Sequence, residues 1–291
     1  MTEPDTRTLD VPGATLVYDV RPGTGDQRPL VLAGSPMDAS GFVSLAACFD
    51  DRTVVTYDPR GTGRGTRPDT SIPSTPARHA DDLHRLLVAL ELGPVDLFAS
   101  SGGAVNALEL VATHPEQVAT LVAHEPPIVE LLPDREQAET VRDRIHETYL
   151  RSGLGPAMAE FIALIGHEGE IPPDYLDRPA PNPADFGLPV EDDGSRDDVL
   201  LGQNWLSCTG YHPDLDALAT ASTRIVVAGG RESARQLCGR VVAVLAERLG
   251  TTPVLFPGDH GGFMGEAEGM PGDPAAFAAV LREVLQPTRV S

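Results

Sequence analysis

The sequence predicts an α/β fold built around a mostly parallel β-sheet, and three observations support this prediction. Short apolar runs alternate with segments of helical periodicity along most of the chain, which is typical of parallel strands joined by crossover helices. The chain has 291 residues, of which 41% are hydrophobic, enough to bury one large core. The alternation stops between about residues 128 and 220, where helical stretches replace it. We therefore expect one α/β domain with a long helical insertion, residues 128–220.

Three apolar runs precede the first long helix. Residues 14–20 predict an antiparallel strand at the edge of the sheet, and residues 31–33 and 52–57 predict buried strands. The glycine-rich segment 58–65 follows the last of these. It lacks the Lys of a phosphate-binding loop and the spacing of a dinucleotide fingerprint. We therefore interpret it as a structural turn.

Residues 75–92 predict an amphipathic crossover helix. Its apolar side chains recur with helical spacing on one face, at Ala80, Leu83, Leu87 and Leu90. His79 and His84 fall on or beside the polar face, so we expect both imidazoles to be solvated.

The junction between an apolar run at 95–100 and a helical pattern at 102–112 predicts a sharp strand-to-helix turn at Ser101. The residues two before and two after this serine, Ala99 and Gly103, are small enough to allow so tight a turn. Such a turn holds the hydroxyl above the sheet and aims free backbone N–H groups at the atom that it attacks. Ser-Gly-Gly also occurs in ordinary strand-to-helix turns, so the assignment of Ser101 as a nucleophile depends on partner motifs.

Those partner motifs occur in a consistent order. Residues 29–36 predict a buried strand that ends in a turn, and residues 252–263 predict a strand followed by His260 between glycine-rich neighbours. Two acidic residues, Glu125 and Glu232, come just after the ends of predicted strands. Over nearly its whole length the chain therefore resembles the α/β-hydrolase family, whose catalytic residues run Ser, acid, His along the sequence.

The resemblance implies an eight-stranded, mostly parallel sheet flanked by helices, with an α/β-hydrolase core at residues 1–127 and 221–291 and a helical cap at residues 128–220. It implies that Ser101 is the nucleophile and His260 the general base. The backbone N–H groups of Gly102 and Ser35 would then form the oxyanion hole.

The catalytic acid has two candidates. Glu232 occupies the position that is commonest in the family, beyond the strand-end glycine Gly229. Glu125 matches the position used by haloalkane dehalogenases and by resorcylic-lactone hydrolases, and the latter also have a segment similar to His124-Glu-Pro-Pro127. We favour Glu125 and keep Glu232 as the alternative.

A cap would close over Ser101 and form the substrate pocket. Large apolar residues are the candidates for the pocket wall, with packing inside the cap as their alternative role: Met37, Met158, Phe161, Trp205, Tyr211 and Phe263.

Composition excludes several classes of function. The formal net charge of −21 argues against a nucleic-acid partner. All 22 basic residues are Arg, which excludes a lysine Schiff base and a Ser-Lys dyad. No His, Cys and Asp residues have the spacing of metal ligands, so we expect neither a metal nor an organic cofactor. The three cysteines are too few and too widely spaced for a disulfide framework, and we expect each to be a structural thiol.

The chain shows no apolar run long enough for a membrane span and no evident secretory signal, so we expect a cytoplasmic location and no membrane partner. The predicted function is a metal-free serine hydrolase that cleaves a small-molecule ester or lactone through an acyl-enzyme. A cofactor-free haloperoxidase or perhydrolase, a C–C bond hydrolase, a natural-product tailoring enzyme and a non-catalytic ligand receptor are the alternatives.

Overall fold

The protein is built around one eight-stranded sheet, as seen in a computed structural model that describes residues 3–286. The strands are β1 (Asp5–Val11), β2 (Ala14–Arg21), β3 (Leu30–Ala33), β4 (Val54–Asp58), β5 (Val95–Ser100), β6 (Val118–His124), β7 (Arg224–Gly230) and β8 (Val254–Phe256). Their order across the sheet is β1-β2-β4-β3-β5-β6-β7-β8. The first two pairings are antiparallel and the other five are parallel. The predicted fold class is confirmed.

Helices cover both faces of this sheet. They are α1 (Val43–Ala47), α2 (Pro76–Leu90), α3 (Gly102–Thr113), α4 (Arg135–Ser152), α5 (Leu154–Ile165), α6 (Trp205–Thr209), α7 (Leu215–Thr220), α8 (Leu237–Arg248) and α9 (Pro274–Leu285). Apolar residues of α2, α3 and α8 join one buried cluster with one face of the sheet, and those of α1 and α9 join a second cluster with the other. Successive residues of β5 illustrate this arrangement, because Leu97 belongs to the first cluster and Phe98 to the second.

The predicted edge strand at residues 14–20 is wrong in its position, because β2 pairs on both sides. It is hydrogen-bonded to β4 on one side and to β1 on the other, so β1 forms the edge. The segment Asp5–Val11 is mostly polar and exposed. It offers no apolar pattern to a sequence-based prediction, and it forms a strand because β2 supplies the pairing partner.

The expectation that His79 is solvated is also wrong. Its side chain is buried, and one ring nitrogen lies 2.8 Å from Ser74 Oγ. Burial lowers the pKa of His79 to about 3, so the imidazole is neutral at physiological pH. His84 is half-buried and stacks on His114 with ring centroids 3.9 Å apart. Both differ from the expectation because α2 is covered over more than its apolar stripe. Arg60 pairs with Asp82 of this helix, and His84 also lies 3.0 Å from Gln117 Oε1.

Residues 128–220 lie between β6 and β7 and contain α4 to α7, short 3₁₀ turns and a π-helical turn at Leu200–Asn204, with no strand. The apolar residues of this insertion share the first cluster with the sheet. Tyr211 adds a polar contact, since its hydroxyl donates to Glu109 Oε2 on α3 at 2.8 Å. No helix among the described residues is long and apolar enough to cross a membrane.

Candidate active site

Ser101 sits at a strained turn between β5 and α3. Its φ of 58° and ψ of −129° lie in a region that non-glycine residues rarely adopt. The backbone is tightly packed here, because a Cβ added at Gly103 would lie 2.5 Å from the carbonyl oxygen of Ala33. The spacing of small residues that predicted the turn therefore has a steric cause: α3 must begin almost in contact with the end of β3.

Gly102 and Ser35 flank Ser101 in space. Gly102 is the first residue of α3, so its backbone N–H has no acceptor within the helix. A Cβ on Gly102 would lie 2.5 Å from the carbonyl oxygen of Ser35, which shows how closely the loop after β3 approaches the start of α3. The structure thus brings both predicted oxyanion donors to one place beside Ser101.

Glu125 and His260 form a pair at the same edge of the sheet. Glu125 follows β6 with a φ of 49°, and its side chain is fully buried. Its Oε2 atom lies 2.5 Å from His260 Nδ1, in the loop after β8. Its Oε1 atom accepts a hydrogen bond from the backbone N–H of Gly230 at 2.8 Å and another from the Ser233 hydroxyl. Every oxygen of the buried carboxylate is therefore hydrogen-bonded, which makes its burial tolerable.

The two pKa shifts agree with an ionised carboxylate beside an imidazole. Burial alone would raise the pKa of Glu125, but the hydrogen bond from His260, the charges of the neighbouring imidazoles and the hydrogen bond from Ser233 together outweigh it and lower the pKa to about 2. Burial acts to lower the pKa of His260, whereas the hydrogen bond to Glu125 and its charge raise it above the ordinary value. With the Nδ1–H donating to Glu125, Nε2 is left as the acceptor nitrogen of the neutral ring.

Glu232 is placed differently. It lies on the loop after β7, its side chain is exposed, and its backbone N–H donates to the carbonyl of Gly258 at 3.0 Å. Within residues 3–286 its carboxylate makes no hydrogen bond or ion pair. The structure therefore brings Glu125, and not Glu232, to His260.

A serine–histidine pair lies close to the ring of His260, because the ring centroids of His124 and His260 are 6.0 Å apart. Ser100 Oγ is 3.0 Å from His124 Nδ1, and both side chains are buried. Burial lowers the pKa of His124 to about 4, so this imidazole is neutral. Neither residue lines the cavity that contains Ser101.

Ser35, Ser101, Gly102, Glu125 and His260 line a common cavity of about 220 Å³. Its other walls are mainly apolar and come largely from the insertion. Among the described residues, no arginine or aspartate side chain lines this cavity. The cavity therefore combines the hydrogen-bonded pair of His260 and Glu125 with a wall suited to an uncharged ligand.

Two of the predicted pocket residues line this cavity. Phe161 and Trp205 meet edge to face, with ring centroids 5.2 Å apart. The indole N–H of Trp205 donates to the backbone carbonyl of Arg142 at 3.0 Å. This bond fixes the orientation of the ring that faces the cavity.

The other predicted pocket residues do not line this cavity. Phe263 is buried in the second apolar cluster, and Met37 packs against the same cluster from the loop after β3. Met158 and Tyr211 pack in the first cluster. The size of an apolar side chain does not show whether it lines a cavity or packs in the core, because both positions bury apolar surface. The two positions differ in whether the side chain points into the cavity or into a packed cluster.

Sequence reasoning missed that Cys208 and Cys238 line the cavity. Burial raises the pKa of the Cys208 thiol to about 12 and also raises that of Cys238, so both remain protonated thiols. Cys48 lies elsewhere, and all three are free cysteines. No group of three or more His, Cys, Asp or Glu side chains within residues 3–286 is arranged to hold a metal ion.

Sequence reasoning also missed two polar residues that contact the candidate site. Ser233 and Asn204 are buried polar side chains that donate hydrogen bonds to Glu125 and to Ser35, respectively, but neither carries a motif. Ser233 comes directly after Glu232, so the contact of the loop after β7 with Glu125 comes from the neighbour of the predicted alternative acid.

Comparison with known proteins defines the family. The family model described as the alpha/beta hydrolase fold matches residues 30–180. An uncharacterized hydrolase of Bacillus subtilis, YraK, is 33% identical over 265 residues, which is 88% of this chain and 89% of that protein. The chain therefore belongs to the α/β-hydrolase family, and its broad class is that of a hydrolase.

Two further similarities are more limited. A putative carbamate hydrolase of Caulobacter vibrioides, RutD, is 34% identical over 112 residues, which is 37% of this chain and 40% of that protein. The crystal structure of MGS-M2, an α/β hydrolase from a deep-sea metagenome library, superimposes with a TM-score of 0.69 and 15% identity over 98% of this chain and 99% of that one. This last similarity concerns the fold. The suggested likeness of residues 124–127 to resorcylic-lactone hydrolases stays a prediction.

Proposed function

We propose that the protein is a metal-free serine hydrolase that cleaves an uncharged ester or lactone through an acyl-enzyme. The observation that carries this proposal is the position of Ser101, which shares one cavity with the hydrogen-bonded pair of His260 and Glu125. A nucleophile, a base and an orienting carboxylate are the minimum set for acyl transfer by a serine hydroxyl.

The reaction follows from the positions of these groups. Ser101 Oγ attacks the substrate carbonyl while His260 Nε2 takes the hydroxyl proton, which gives a tetrahedral oxyanion. The backbone N–H groups of Gly102 and Ser35 bind that oxyanion. As the intermediate collapses, His260 gives the proton to the leaving alkoxide, and the acyl group remains on Ser101. Water, deprotonated by His260, then releases the acid and restores the serine.

Glu125 acts as the acid of the triad in this proposal. Its buried carboxylate accepts the Nδ1–H of His260, so it fixes the tautomer with a free Nε2 and stabilises the imidazolium formed during attack. The bonds from Gly230 and Ser233 hold the carboxylate itself in place. Glu232 is exposed and lies apart from this network.

The cavity supports an uncharged, mainly apolar acyl group as substrate. We assign residues 128–220 as a cap over the core formed by residues 1–127 and 221–291, because its side chains Phe161 and Trp205 form the apolar wall opposite Ser101. A volume of about 220 Å³ favours a small ligand over a long chain.

A fluorophosphonate probe tests the proposal directly. We expect a single label on Ser101, detected by peptide mass mapping, and hydrolysis of short aryl esters that survives dialysis against a chelator. Ser101→Ala should lose both labelling and turnover, whereas Ser71→Ala, at an exposed serine, should retain both. Full turnover in Ser101→Ala would overturn the assigned nucleophile. A wild-type protein that binds aryl esters without labelling or turnover would instead support a non-catalytic ligand-binding protein.

A further inference from the structure

Asn204 connects the insertion to the loop after β3. Its side chain is 3% exposed, it lines the cavity, and its Nδ2 atom donates a hydrogen bond of 2.7 Å to Ser35 Oγ. Ser35 is also buried, at 2% exposure. A polar contact between residues 169 positions apart in sequence therefore lies immediately beside the site at which Ser101 would attack.

Protein groups pair the amide of Asn204 only in part. The Oδ1 atom of Asn204 is buried and has no hydrogen-bond partner among the described residues. Exchanging the oxygen and nitrogen of the amide would let the Ser35 hydroxyl donate instead, but the nitrogen would then be left unpaired. One polar group of Asn204 thus has no partner among the described residues in either orientation, whereas an apolar side chain would leave no polar group to pair.

The backbone that presents Asn204 is also unusual. Asn204 is the last residue of the π-helical turn Leu200–Asn204. Such turns are rare and occur frequently at functional sites, because the extra residue rotates a side chain out of the regular helical register. A buried amide that protein groups pair only in part, presented on a rare backbone turn, indicates that the bond to Ser35 serves the site and not the stability of the fold.

We infer that Asn204 is a positioning residue that holds Ser35 in the oxyanion hole. This inference rests on the proposed function, in which the backbone N–H of Ser35 is one of two donors to the oxyanion. A hydrogen bond to the Ser35 side chain restrains the rotation of that residue, so its N–H stays aimed at the developing charge. The insertion thereby completes the oxyanion hole in addition to covering the substrate.

The same turn provides a matched control. The neighbouring side chain, Gln203, is hydrogen-bonded to Arg67 in the loop after β4. Gln203→Ala removes a contact between the turn and the core but leaves the bond between Asn204 and Ser35 intact. A purely structural role of the turn would make Gln203→Ala and Asn204→Ala similar in their kinetics.

The test is a double-mutant cycle of Asn204→Ala and Ser35→Ala, with kcat, KM and the rate of fluorophosphonate labelling as readouts. Ser35→Ala keeps the backbone N–H and removes only the hydroxyl that Asn204 holds. We expect each single variant to lose about tenfold in kcat and in labelling rate with KM changed less than about twofold, since a misplaced oxyanion donor weakens transition-state binding. The double variant should be no slower than the slower single variant, and Gln203→Ala should stay within about twofold of wild type.

Losses that multiply in the double variant, or a change confined to KM or to the melting temperature, would overturn the inference while leaving the proposed function in place. If Asn204→Ala does not fold, Ser35→Ala decides alone, because an unchanged kcat there contradicts the positioning role. A wild-type protein without labelling or turnover overturns the proposed function first, and the role of Asn204 with it.

Discussion

The core and the insertion contribute different kinds of residue to the cavity. The core supplies Ser101, Glu125 and His260, each just beyond a strand whose carboxyl end lies at the same edge of the sheet. The insertion supplies mainly apolar walls, such as Phe161 and Trp205, which are held by side-chain packing and one indole hydrogen bond. The ends of the strands therefore position the groups that carry out the chemistry. The packed helices form the shape of the cavity that selects a ligand.

This comparison predicts that substitutions in the core change kcat for all substrates, whereas substitutions in the insertion wall change the ranking of substrates. Asn204 is the inferred exception, because it belongs to the insertion and acts on the oxyanion hole.

The largest effect that tests the comparison concerns the acid in the core. Glu125→Gln keeps the shape of the side chain and removes its charge, so it should lower kcat by a factor on the order of 10⁴, as loss of the charge on the corresponding aspartate does in serine proteases. Glu232→Gln is the matched control at an exposed position and should retain most activity. Steady-state kinetics measures kcat of each variant, and a far-ultraviolet circular dichroism spectrum shows whether the variant is folded.

The reverse pattern in two folded variants would make Glu232 the acid. Equal losses in both would show that the two carboxylates share His260 and that neither single assignment holds.

A smaller effect concerns pH. His260 must be neutral to accept the proton of Ser101, and Glu125 raises the pKa of His260 above its ordinary value of 6.5. Activity should therefore be low in acid and rise as the pH increases through a midpoint above 6.5, measured as kcat/KM of wild type. Because the pKa of Glu125 is about 2, this carboxylate stays ionised over the same range and adds no second step. A midpoint below 6.5 would contradict the effect of Glu125 on His260.

The smallest effect concerns the insertion wall. Trp205→Phe removes part of an indole that faces the cavity, so relative kcat/KM between bulky and small acyl esters should shift by about tenfold towards the bulky ones. Fluorophosphonate labelling of Ser101 should persist. Tyr211→Phe is the control, because it removes the bond to Glu109 from a buried insertion residue outside the cavity. It should lower the melting temperature without changing the ranking of esters.

A uniform loss for all esters in Trp205→Phe, together with earlier melting, would show that this side chain acts as core packing. That result would contradict the prediction that the insertion wall sets the ranking of substrates.

The local parts of the candidate site could be predicted because they depend on neighbours in sequence. The turn at Ser101 requires small residues at fixed positions, and Gly103 meets that requirement against the carbonyl of Ala33. A histidine in a glycine-rich loop after a strand likewise marked His260. The order of parallel strands then places both at one edge of the sheet, as the apolar alternation implied.

Other features were decided by the tertiary structure, since they depend on segments that meet only after folding. The sequence offered both Glu125 and Glu232 after neighbouring strands and favoured Glu125 through a family resemblance, whereas the path of the loop after β8 is what brings His260 to Glu125. The burial of His79, the cavity position of Cys208 and the contact between Asn204 and Ser35 have the same origin. Sequence periodicity determines which face of an element is apolar, whereas the packing of distant elements determines which polar group lies beside which.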